Sequence, residues 1–514
     1  MNYKIDKMKK FKGILSGLIL LGMFITTGCT SDFDEINTNP DTPNKASASL
    51  LATRVILDMT RFGGDAKSFI SSSALPKYVG YANEGQMSSQ YNLIGSGSFG
   101  GMTILPDLEK MVEYAEGSLT ENSYKGLAKF ARAYLFYNLT MQMGDIPYSQ
   151  TGRGAIAEYR PEYDAQKEIF LGVLQELEEA NNLFAQGVNF TGDPTPFNGN
   201  VQLWRRATNS LRLKVLMSLS PKAEEFNVPA RMESLVSEGF LFENPGDYWG
   251  LVYSAQNPHP LFSTNDLFTG KTIISSHLVE TLKDLNDYRL FYFAEPAGIK
   301  LMEGLEESNP EAYVGVDVSM EYAQMNTKHS NDEFSLINFR YRTQENSEPR
   351  RLLSYAEQQL ILAEASVRGW ISQGMAKDYY EDGVRAALSL MRNVSEEFAH
   401  GNPITQDYID NYFTGEAAFA DTQEEQLKQI WMQRYILNFL MDGNTSFFEY
   451  RRNLYPEFPI NPATSLNENN RNGLPLRWLY PGSEATYNRE NLEAALNRQF
   501  DGFDEINKKI WLLK

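Results

Sequence analysis

The stretch LAKFARAYLFYNLTMQM (residues 127–143) carries the clearest secondary-structure signal in this chain of 514 residues. Its apolar side chains recur every three or four positions from Leu127 to Leu135, which is the spacing of one face of an α-helix. Gly144 follows directly, and glycine commonly ends a helix. The sequence therefore predicts an amphipathic helix over Asn122–Met143 that packs by this face against other helices.

The same periodicity recurs along the chain and makes helix the dominant predicted structure. Two helices begin at capping boxes, in which Ser354 or Thr422 is followed three residues later by a glutamate. The further predicted helices are Ala46–Phe62, Asp164–Phe184, Asn200–Leu219, Gln358–Arg368, Ala376–Met391 and Leu427–Met441. Helix pairs joined by tight turns are the unit of tetratricopeptide-like solenoids, although the periodicity alone gives no clean repeat.

Two long stretches between the helices lack a helical pattern. Residues 241–350 mix short β-type runs, Tyr248–Tyr253 and Ser335–Tyr341, with clusters of Pro, Asn and Gly, and residues 454–488 are similar. Long irregular segments in a compact protein are usually functional or disordered, and the many aromatic residues here argue against disorder. The predicted fold class is mostly α, with long irregular loops and minor β structure.

The N-terminal residues have the pattern of an export signal. Five lysines precede the apolar run Ile14–Ile25, and small residues then lead to Cys29, the only cysteine of the chain. The run is shorter than the ~20 residues that a membrane-spanning helix needs. Small residues before a cysteine resemble a bacterial lipobox, so we expect residues 1–28 to be a signal peptide and Cys29 to be acylated. The alternative is an ordinary signal followed by an accidental cysteine.

The residues after Cys29 favour the outward face of the outer membrane. The acidic patch SDFDE (residues 31–35) resembles the surface-export signal of lipoproteins from the Bacteroidetes, although any hydrated acidic leader would look similar. Residues 29–45 read as a flexible tether rich in Asn, Pro and Ser. Residues 46–514 are then expected to form one helical domain, with loop insertions around 241–350 and 454–488.

The charge of the chain makes nucleic acid an improbable partner. Removal of residues 1–28 takes away five lysines and one aspartate, which leaves 42 basic and 65 acidic residues and a net charge of −23. Such a charge repels phosphate backbones and anionic lipid headgroups. Membrane attachment is therefore expected to come from acyl chains.

Five segments, in this order along the chain, carry a family resemblance: LAKFARAYLFYNLTMQMGDIPYSQ (127–150), VQLWRRATNSLRLKVLMSLS (201–220), SYAEQQLILAEASVRGW (354–370), QIWMQRYILNFLMDGNTSFFEYRRNLYPEFP (429–459) and LPLRWLYPGSEATYNRENLEAAL (474–496). Together with Cys29 and the acidic leader, they resemble the SusD/RagB family of outer-membrane nutrient-binding lipoproteins. The resemblance covers nearly the whole chain after residue 28.

The resemblance implies a tetratricopeptide-like helical scaffold whose loops carry the ligand site. It implies a cell-surface protein that captures a nutrient and delivers it to a SusC-like TonB-dependent transporter. The nutrient would most commonly be an oligosaccharide, whereas the RagB branch is associated with peptides. We expect no enzyme activity and no cofactor. A surface glycosidase is the remaining alternative, because the chain offers many pairs of carboxylates.

An oligosaccharide site needs aromatic rings against the C–H faces of the sugar and amides or carboxylates for its hydroxyls. Two predicted loops offer both. The candidate ligand-binding residues are Tyr78, Tyr81, Tyr91, Asn83 and Gln86 in the first loop, and Tyr248 and Trp249 in the second. The alternative for each aromatic is a place in the core, which is the expected place of Trp204 because it lies on an apolar helix face.

Motifs for catalysis and metal binding are weak. The four histidines are scattered and form no H-E-x-x-H motif, so we expect no zinc site. Gly95–Gly100 matches G-x-G-x-x-G in letters, but no strand–helix unit frames it. Asp193 with Asn198 and Asn200 could ligate calcium, although a turn is the more ordinary interpretation of that spacing.

Overall fold

A computed structural model describes residues 47–82, 87–152, 159–263 and 268–514 of the chain. The predicted signal peptide, Cys29 and the whole predicted tether therefore lie outside the described residues. Ala48–Lys514 forms one compact unit. None of its described helices combines the length and the apolar character that crossing a bilayer requires.

Helices dominate the described residues, as the sequence predicted, and we number them in chain order. They are α1 (Ala48–Thr60), α2 (Ala66–Ala74), α3 (Leu105–Ala115), α4 (Glu121–Met143), α5 (Gln166–Gln186), α6 (Val201–Ser218), α7 (Val228–Glu238), α8 (Ser276–Asp284), α9 (Arg289–Phe293), α10 (Gly298–Met302), α11 (Tyr322–Ser330), α12 (Arg340–Thr343), α13 (Tyr355–Val367), α14 (Ala376–Met391), α15 (Gln406–Asp410), α16 (Gln423–Leu437), α17 (Gly443–Asn453), α18 (Gly482–Tyr487) and α19 (Arg489–Phe500).

The β structure consists of three short antiparallel pairs. The strands are β1 (Val79–Tyr81), β2 (Ile146–Pro147), β3 (Tyr163–Asp164), β4 (Tyr248–Leu251), β5 (Thr272–Ile274) and β6 (Arg350–Ser354). β1 pairs with β5, β2 with β3, and β4 with β6. Each pair joins segments that are far apart in sequence or flank a loop, so the strands fasten the long irregular stretches to the helices.

The helices pack as successive antiparallel pairs. The longest interfaces join α4 to α5 and α13 to α14, and α6 then packs on α5. The capping box at the start of α13 is confirmed, because the Ser354 side chain accepts a hydrogen bond from the Glu357 amide. The second box at the start of α16 is confirmed in the same way by Thr422 and Glu425. The mostly α, tetratricopeptide-like class is therefore correct.

One predicted strand is wrong. Ser335–Tyr341 forms only isolated bridges at Leu336 and Ile337, and the helix α12 begins at Arg340. Asn338 explains the change, because its Oδ1 accepts from the Arg340 amide while its Nδ2 donates to the Phe291 carbonyl oxygen. These side-chain bonds stop the extended run and start the helical turn.

One hydrophobic core runs through the helical unit, and a buried ion network crosses it. Arg452 of α17 binds Glu364 of α13 through two bonds, Nη1–Oε1 at 2.6 Å and Nη2–Oε2 at 2.7 Å. Arg452 also donates to Glu449, which in turn binds Arg434 of α16. Burial by itself would raise the pKa of Glu364, but the surrounding guanidinium groups lower it to about 2. The network therefore fixes α13, α16 and α17 to one another.

Candidate functional site

The first predicted loop packs into the protein by its tyrosines. Tyr78 has no exposed surface, and its ring stacks on Tyr435 with ring centroids 4.3 Å apart. Its hydroxyl donates to the Tyr435 carbonyl oxygen at 2.5 Å and contacts the Ser446 hydroxyl at 2.7 Å. Tyr78 therefore takes the core alternative, because a ring stacked inside the protein offers no face to a sugar.

Tyr81 and Tyr91 are also buried. Tyr81 lies in β1 opposite Thr272, and its side chain is 2% exposed. Tyr91 is 1% exposed, and its hydroxyl donates to the Met320 carbonyl oxygen at 3.0 Å. Burial raises the pKa of the Tyr91 hydroxyl well above its usual range. Neither ring is placed as an open platform in this structure, while Asn83 and Gln86 lie outside the described residues.

Of the two aromatic residues predicted in the second loop, Trp249 lies in the core and Tyr248 is partly exposed. Trp249 is fully buried, and its ring makes edge contacts with Phe130 and Tyr134, both at 5.0 Å, and with Trp204 at 6.1 Å. The expectation of a sugar platform at Trp249 is thus corrected to a core position, and the core prediction for Trp204 is confirmed. Tyr248 is only partly buried, so its role as a ligand residue stays a prediction.

The first loop nevertheless borders a cavity of about 520 Å³ through residues other than its tyrosines. Its walls come from α2 and the residues that flank this helix, from residues 87–95, from the first turn of α17 and from the chain before α18. The residues that line it are Asp65, Lys67, Ser68, Ser71, Ser72, Leu75, Met87, Ser88, Ser89, Leu93, Ile94, Gly95, Asn444 and Trp478. We call it the Trp478 cavity.

Trp478 supplies the one aromatic ring among the residues that line this cavity. The ring is partly exposed, and Phe447 and Phe448 support it by edge contacts at 5.5 and 6.2 Å. Its amide donates to the Gln142 carbonyl oxygen at 3.0 Å, which ties this irregular segment to the end of α4. The neighbouring Leu479 bonds through its backbone with Gly97 and Gly95. The Trp478 ring therefore packs against Phe447 and Phe448, and it remains partly exposed as a lining residue of the cavity.

Hydroxyl groups and an amide form the polar part of the wall. The Ser71 and Ser89 hydroxyls lie 2.9 Å apart, within hydrogen-bond distance, and Ser89 also donates to the Ser71 carbonyl oxygen. These bonds connect α2 to the segment that carries Ser88 and Ser89. Asn444 lies in the first turn of α17, where Asp442 caps the helix by accepting from the Asn444 and Thr445 amides. Hydroxyls and amides can both donate and accept hydrogen bonds.

The cavity has no net charge, because Asp65 and Lys67 are its only ionised lining residues. Asp65 caps α2 by accepting from the Ser68 amide at 2.8 Å and from its hydroxyl at 2.6 Å. The Ser68 hydroxyl and amide lower the pKa of Asp65, so the carboxylate is ionised at neutral pH. An aromatic ring, hydroxyls, an amide and balanced charge suit a neutral, hydroxyl-rich ligand.

The structure also bears on the weak metal-binding motifs of the sequence. Both oxygens of Asp193 are occupied, because they accept from the Thr195 and Gly199 amides and from the Trp204 indole N–H at 2.8–2.9 Å. The spacing around Asp193 is thus a turn that anchors Trp204. Among the described residues no group of three or more His, Cys, Asp or Glu side chains is arranged to hold a metal ion.

A second cavity of about 880 Å³ lies between α8, α14 and α16. Its lining carries four carboxylates and a single lysine among the described residues: Asp284, Glu416, Asp421, Glu425 and Lys428. It is larger than the Trp478 cavity but strongly acidic, and neither predicted loop reaches it. We therefore take the Trp478 cavity as the candidate functional site.

Comparison with known proteins identifies the family. The profile of a family described as "Starch-binding associating with outer membrane" (SusD-like) matches residues 40–481. The crystal structure of a SusD homologue from Bacteroides fragilis NCTC 9343 is 38% identical in sequence, with 91% of this chain and 100% of that chain covered and a TM-score of 0.87. The fold is thus that of the helical SusD homologues. This chain belongs to the SusD-like family.

Other structures agree with this assignment. A second SusD homologue from Bacteroides fragilis NCTC 9343 is 34% identical, with a TM-score of 0.81 over 91% of this chain and 100% of that chain. A chitin-binding SusD homologue from Flavobacterium johnsoniae is 19% identical and shares the fold, with a TM-score of 0.69 over 91% of this chain and 98% of that chain. Comparison with curated proteins returned no match. The resemblance stated from the sequence is confirmed.

Proposed function

We propose that this protein binds a neutral oligosaccharide in the Trp478 cavity and does not cleave it. The observation that carries the proposal is the convergence of a supported indole ring, serine hydroxyls and an amide on one open cavity without net charge. Sugars present apolar C–H faces that stack on aromatic rings and hydroxyls that need donors and acceptors. The outer-membrane association in the family's description supports a role in nutrient capture.

Calorimetry on the chain from residue 30 onward tests this function. The panel contains α-1,4-linked glucose oligomers, N-acetylglucosamine oligomers, a uronate oligomer and a mixed peptide digest. We expect binding of at least one neutral oligosaccharide, with little dependence on salt because the contacts are uncharged. Chromatography of the incubated ligand should show no shorter products. Binding of peptides alone would favour the peptide alternative, and released products would favour the glycosidase.

The cellular part of the proposal is a lipid-anchored protein that delivers its ligand to a SusC-like TonB-dependent transporter. The lysine-rich start, the apolar run and Cys29 support the anchor, and the family resemblance supports the transporter. Cys29→Ala should give an uncut precursor or a protein released from the surface. Mild detergent extraction of the native outer membrane should recover the protein together with a TonB-dependent transporter. An unacylated variant that still resists salt washing would contradict the anchor.

A further inference from the structure

Lys77 is a buried lysine whose hydrogen-bond partners, among the residues that the structure describes, include no carboxylate. It follows α2 directly, its side chain is 1% exposed, and its backbone φ is 63°. Its Nζ donates to the Gln90 carbonyl oxygen at 2.5 Å and to Asn92 Oδ1 at 2.6 Å. Both acceptors are neutral. Burying an ammonium without a counter-charge is unfavourable, so an apolar residue of similar length would suit a purely structural position better.

The two acceptors of Lys77 belong to the segment that forms one wall of the Trp478 cavity. We call residues 87–92 the clasped segment. Its residues Met87, Ser88 and Ser89 line the cavity, and so does Leu75 at the end of α2. Lys77 stands two residues after Leu75 and reaches across to Gln90 and Asn92. The Lys77 amine therefore connects the end of α2 to the clasped segment.

The clasped segment is also anchored to the rest of the protein by other bonds. The Tyr91 hydroxyl donates to the Met320 carbonyl oxygen, and the Tyr91 carbonyl oxygen accepts from the Leu466 amide at 2.8 Å. Gln90 Oε1 accepts from the Tyr81 amide, and Gln90 Nε2 donates to the Val318 carbonyl oxygen at 3.1 Å. Ser89 bonds to Ser71, as described above. The segment's own amides form a tight turn, in which the Gln90 amide donates to Met87 and the Tyr91 and Leu93 amides to Ser88. Opening of this turn would expose Lys77 to water.

We propose that Lys77 is a positioning residue of the Trp478 cavity: its two hydrogen bonds to Gln90 and Asn92 hold the clasped segment in its cavity-lining conformation. The role of the cavity as a ligand site rests on the function proposed above. The clasp itself is a property of the fold and can be measured without a ligand.

The electrostatic surroundings set the direction of the pH effect. Burial lowers the pKa of Lys77 to about 7, and the charge of Asp317 opposes this only in part. Burial raises the pKa of the hydroxyls of Tyr78, Tyr91 and Tyr435, so these groups stay neutral over the same pH range. When the segment opens, the pKa of a hydrated lysine returns to ~10.4. The open form thus binds the proton more tightly, and raising the pH from 7 towards 10 favours the closed form.

Hydrogen–deuterium exchange tests the clasp in the chain from residue 30 onward. The reporters are the amides of Gln90, Tyr91 and Leu93, with rates corrected for the intrinsic pH dependence of exchange. Between pH 7 and pH 9 their protection should rise by about tenfold or more, because the two pKa values differ by several pH units. Amides in the middle of α6, far from the clasp, are the internal control and should not follow this rise.

Two variants separate the titration from a structural defect. Lys77→Met removes the amine, and with it both hydrogen bonds and the titrating group. Protection of the reporter amides should therefore be independent of pH, and at pH 9 it should be lower than in the wild type. Asn92→Asp keeps the shape and places a carboxylate beside Nζ, which raises the pKa of Lys77. In Asn92→Asp, protection of the reporter amides should therefore not change between pH 7 and pH 9, and at pH 7 it should be higher than in the wild type.

The outcomes distinguish this inference from the proposed function. A wild-type profile that is flat between pH 7 and pH 9, or a pH-dependent profile that persists in Lys77→Met, would overturn the clasp whatever the glycan results are. If the exchange results are as expected but no member of the glycan panel binds, the clasp stands and the proposed function fails. If a glycan binds, for example maltoheptaose, Lys77→Met should weaken its binding several-fold at pH 9.

Discussion

Gly443 at the start of α17 packs directly against the backbone of Ser72 in α2. A Cβ atom on Gly443 would lie 2.0 Å from the Ser72 carbonyl oxygen, far inside van der Waals contact. The residue next to Gly443 is Asn444, and Ser72 is itself a lining residue of the Trp478 cavity. The close approach of these two backbones therefore sets the distance between two walls of the candidate site.

Gly443→Ala should consequently disturb both stability and the cavity. The added methyl group forces α2 and α17 apart, and overpacking of this kind typically costs about 1–3 kcal/mol. Thermal melting should show the loss, and glycan affinity should fall with it. Gly482→Ala is the matched control, because a Cβ there meets nothing within 4 Å. Equal melting temperatures for Gly443→Ala and wild type would show that the backbones can separate freely.

The ion pair between Arg452 and Glu364 should be important for stability. Both side chains are almost fully buried, so Arg452→Met removes the cation that binds both oxygens of Glu364 and leaves this carboxylate with Arg368 at 2.9 Å and Arg434 at 3.8 Å. Removal of one partner of a buried pair typically costs about 3–5 kcal/mol. Denaturant unfolding measures the loss, with Lys428→Met as the control, since the solvent-screened Lys428–Glu424 pair at the surface should contribute little to stability. If Arg452→Met lowers the unfolding free energy by less than Lys428→Met does, the buried network does not stabilise the protein.

Acid should weaken the protein through the same carboxylate. Burial opposes ionisation of Glu364, but its arginine neighbours hold its folded pKa at about 2, below the ordinary glutamate value of 4.5. A depressed carboxylate pKa adds stability that is fully present above the unfolded value and is lost as the pH falls towards the folded value. The free energy of unfolding should therefore fall between about pH 4.5 and pH 2. In Arg452→Met this dependence on pH should be smaller.

Trp249 should behave as a core residue and not as a sugar platform. Its indole is enclosed by Phe130, Tyr134 and Trp204. Trp249→Ala should therefore lower the unfolding free energy by about 3–5 kcal/mol, as measured by denaturant titration. Tyr248→Ala, at the partly exposed neighbouring position, is the control and should cost less. A variant that is as stable as wild type but loses glycan binding would restore the platform interpretation.

The helices could be predicted because their signal is local. Ala376–Met391 was predicted to the residue, and both capping boxes act through side chains three residues from the amides they bind. The predicted helix Leu427–Met441 was displaced by about one turn at each end. Its start follows directly after the cap at Thr422, and its end lies before the positive φ of Leu440.

The candidate site could be predicted only in part, because exposure depends on distant contacts. Tyr78 is covered by Tyr435, which lies 357 residues further along the chain, and no local pattern reveals that contact. The predicted loop borders the cavity through Met87 to Ser89, and its part in ligand binding stays a prediction. Trp478 was missed, although it stands in a segment recognised as irregular and bounded by prolines. Trp249 lies in a similar segment and is buried, so composition cannot separate the two tryptophans.

Calorimetry on Trp478→Ala tests the central claim most directly. A neutral glycan that binds wild type should bind this variant several-fold to about tenfold more weakly, because one stacked face contributes on the order of 1 kcal/mol beyond area burial. Trp370→Ala is the control, since that partly buried indole lies outside the cavity. Ser88→Trp, which fills the cavity from an exposed position, should abolish binding while the melting temperature is kept. Unchanged affinity in both Trp478→Ala and Ser88→Trp would contradict a glycan site in this cavity.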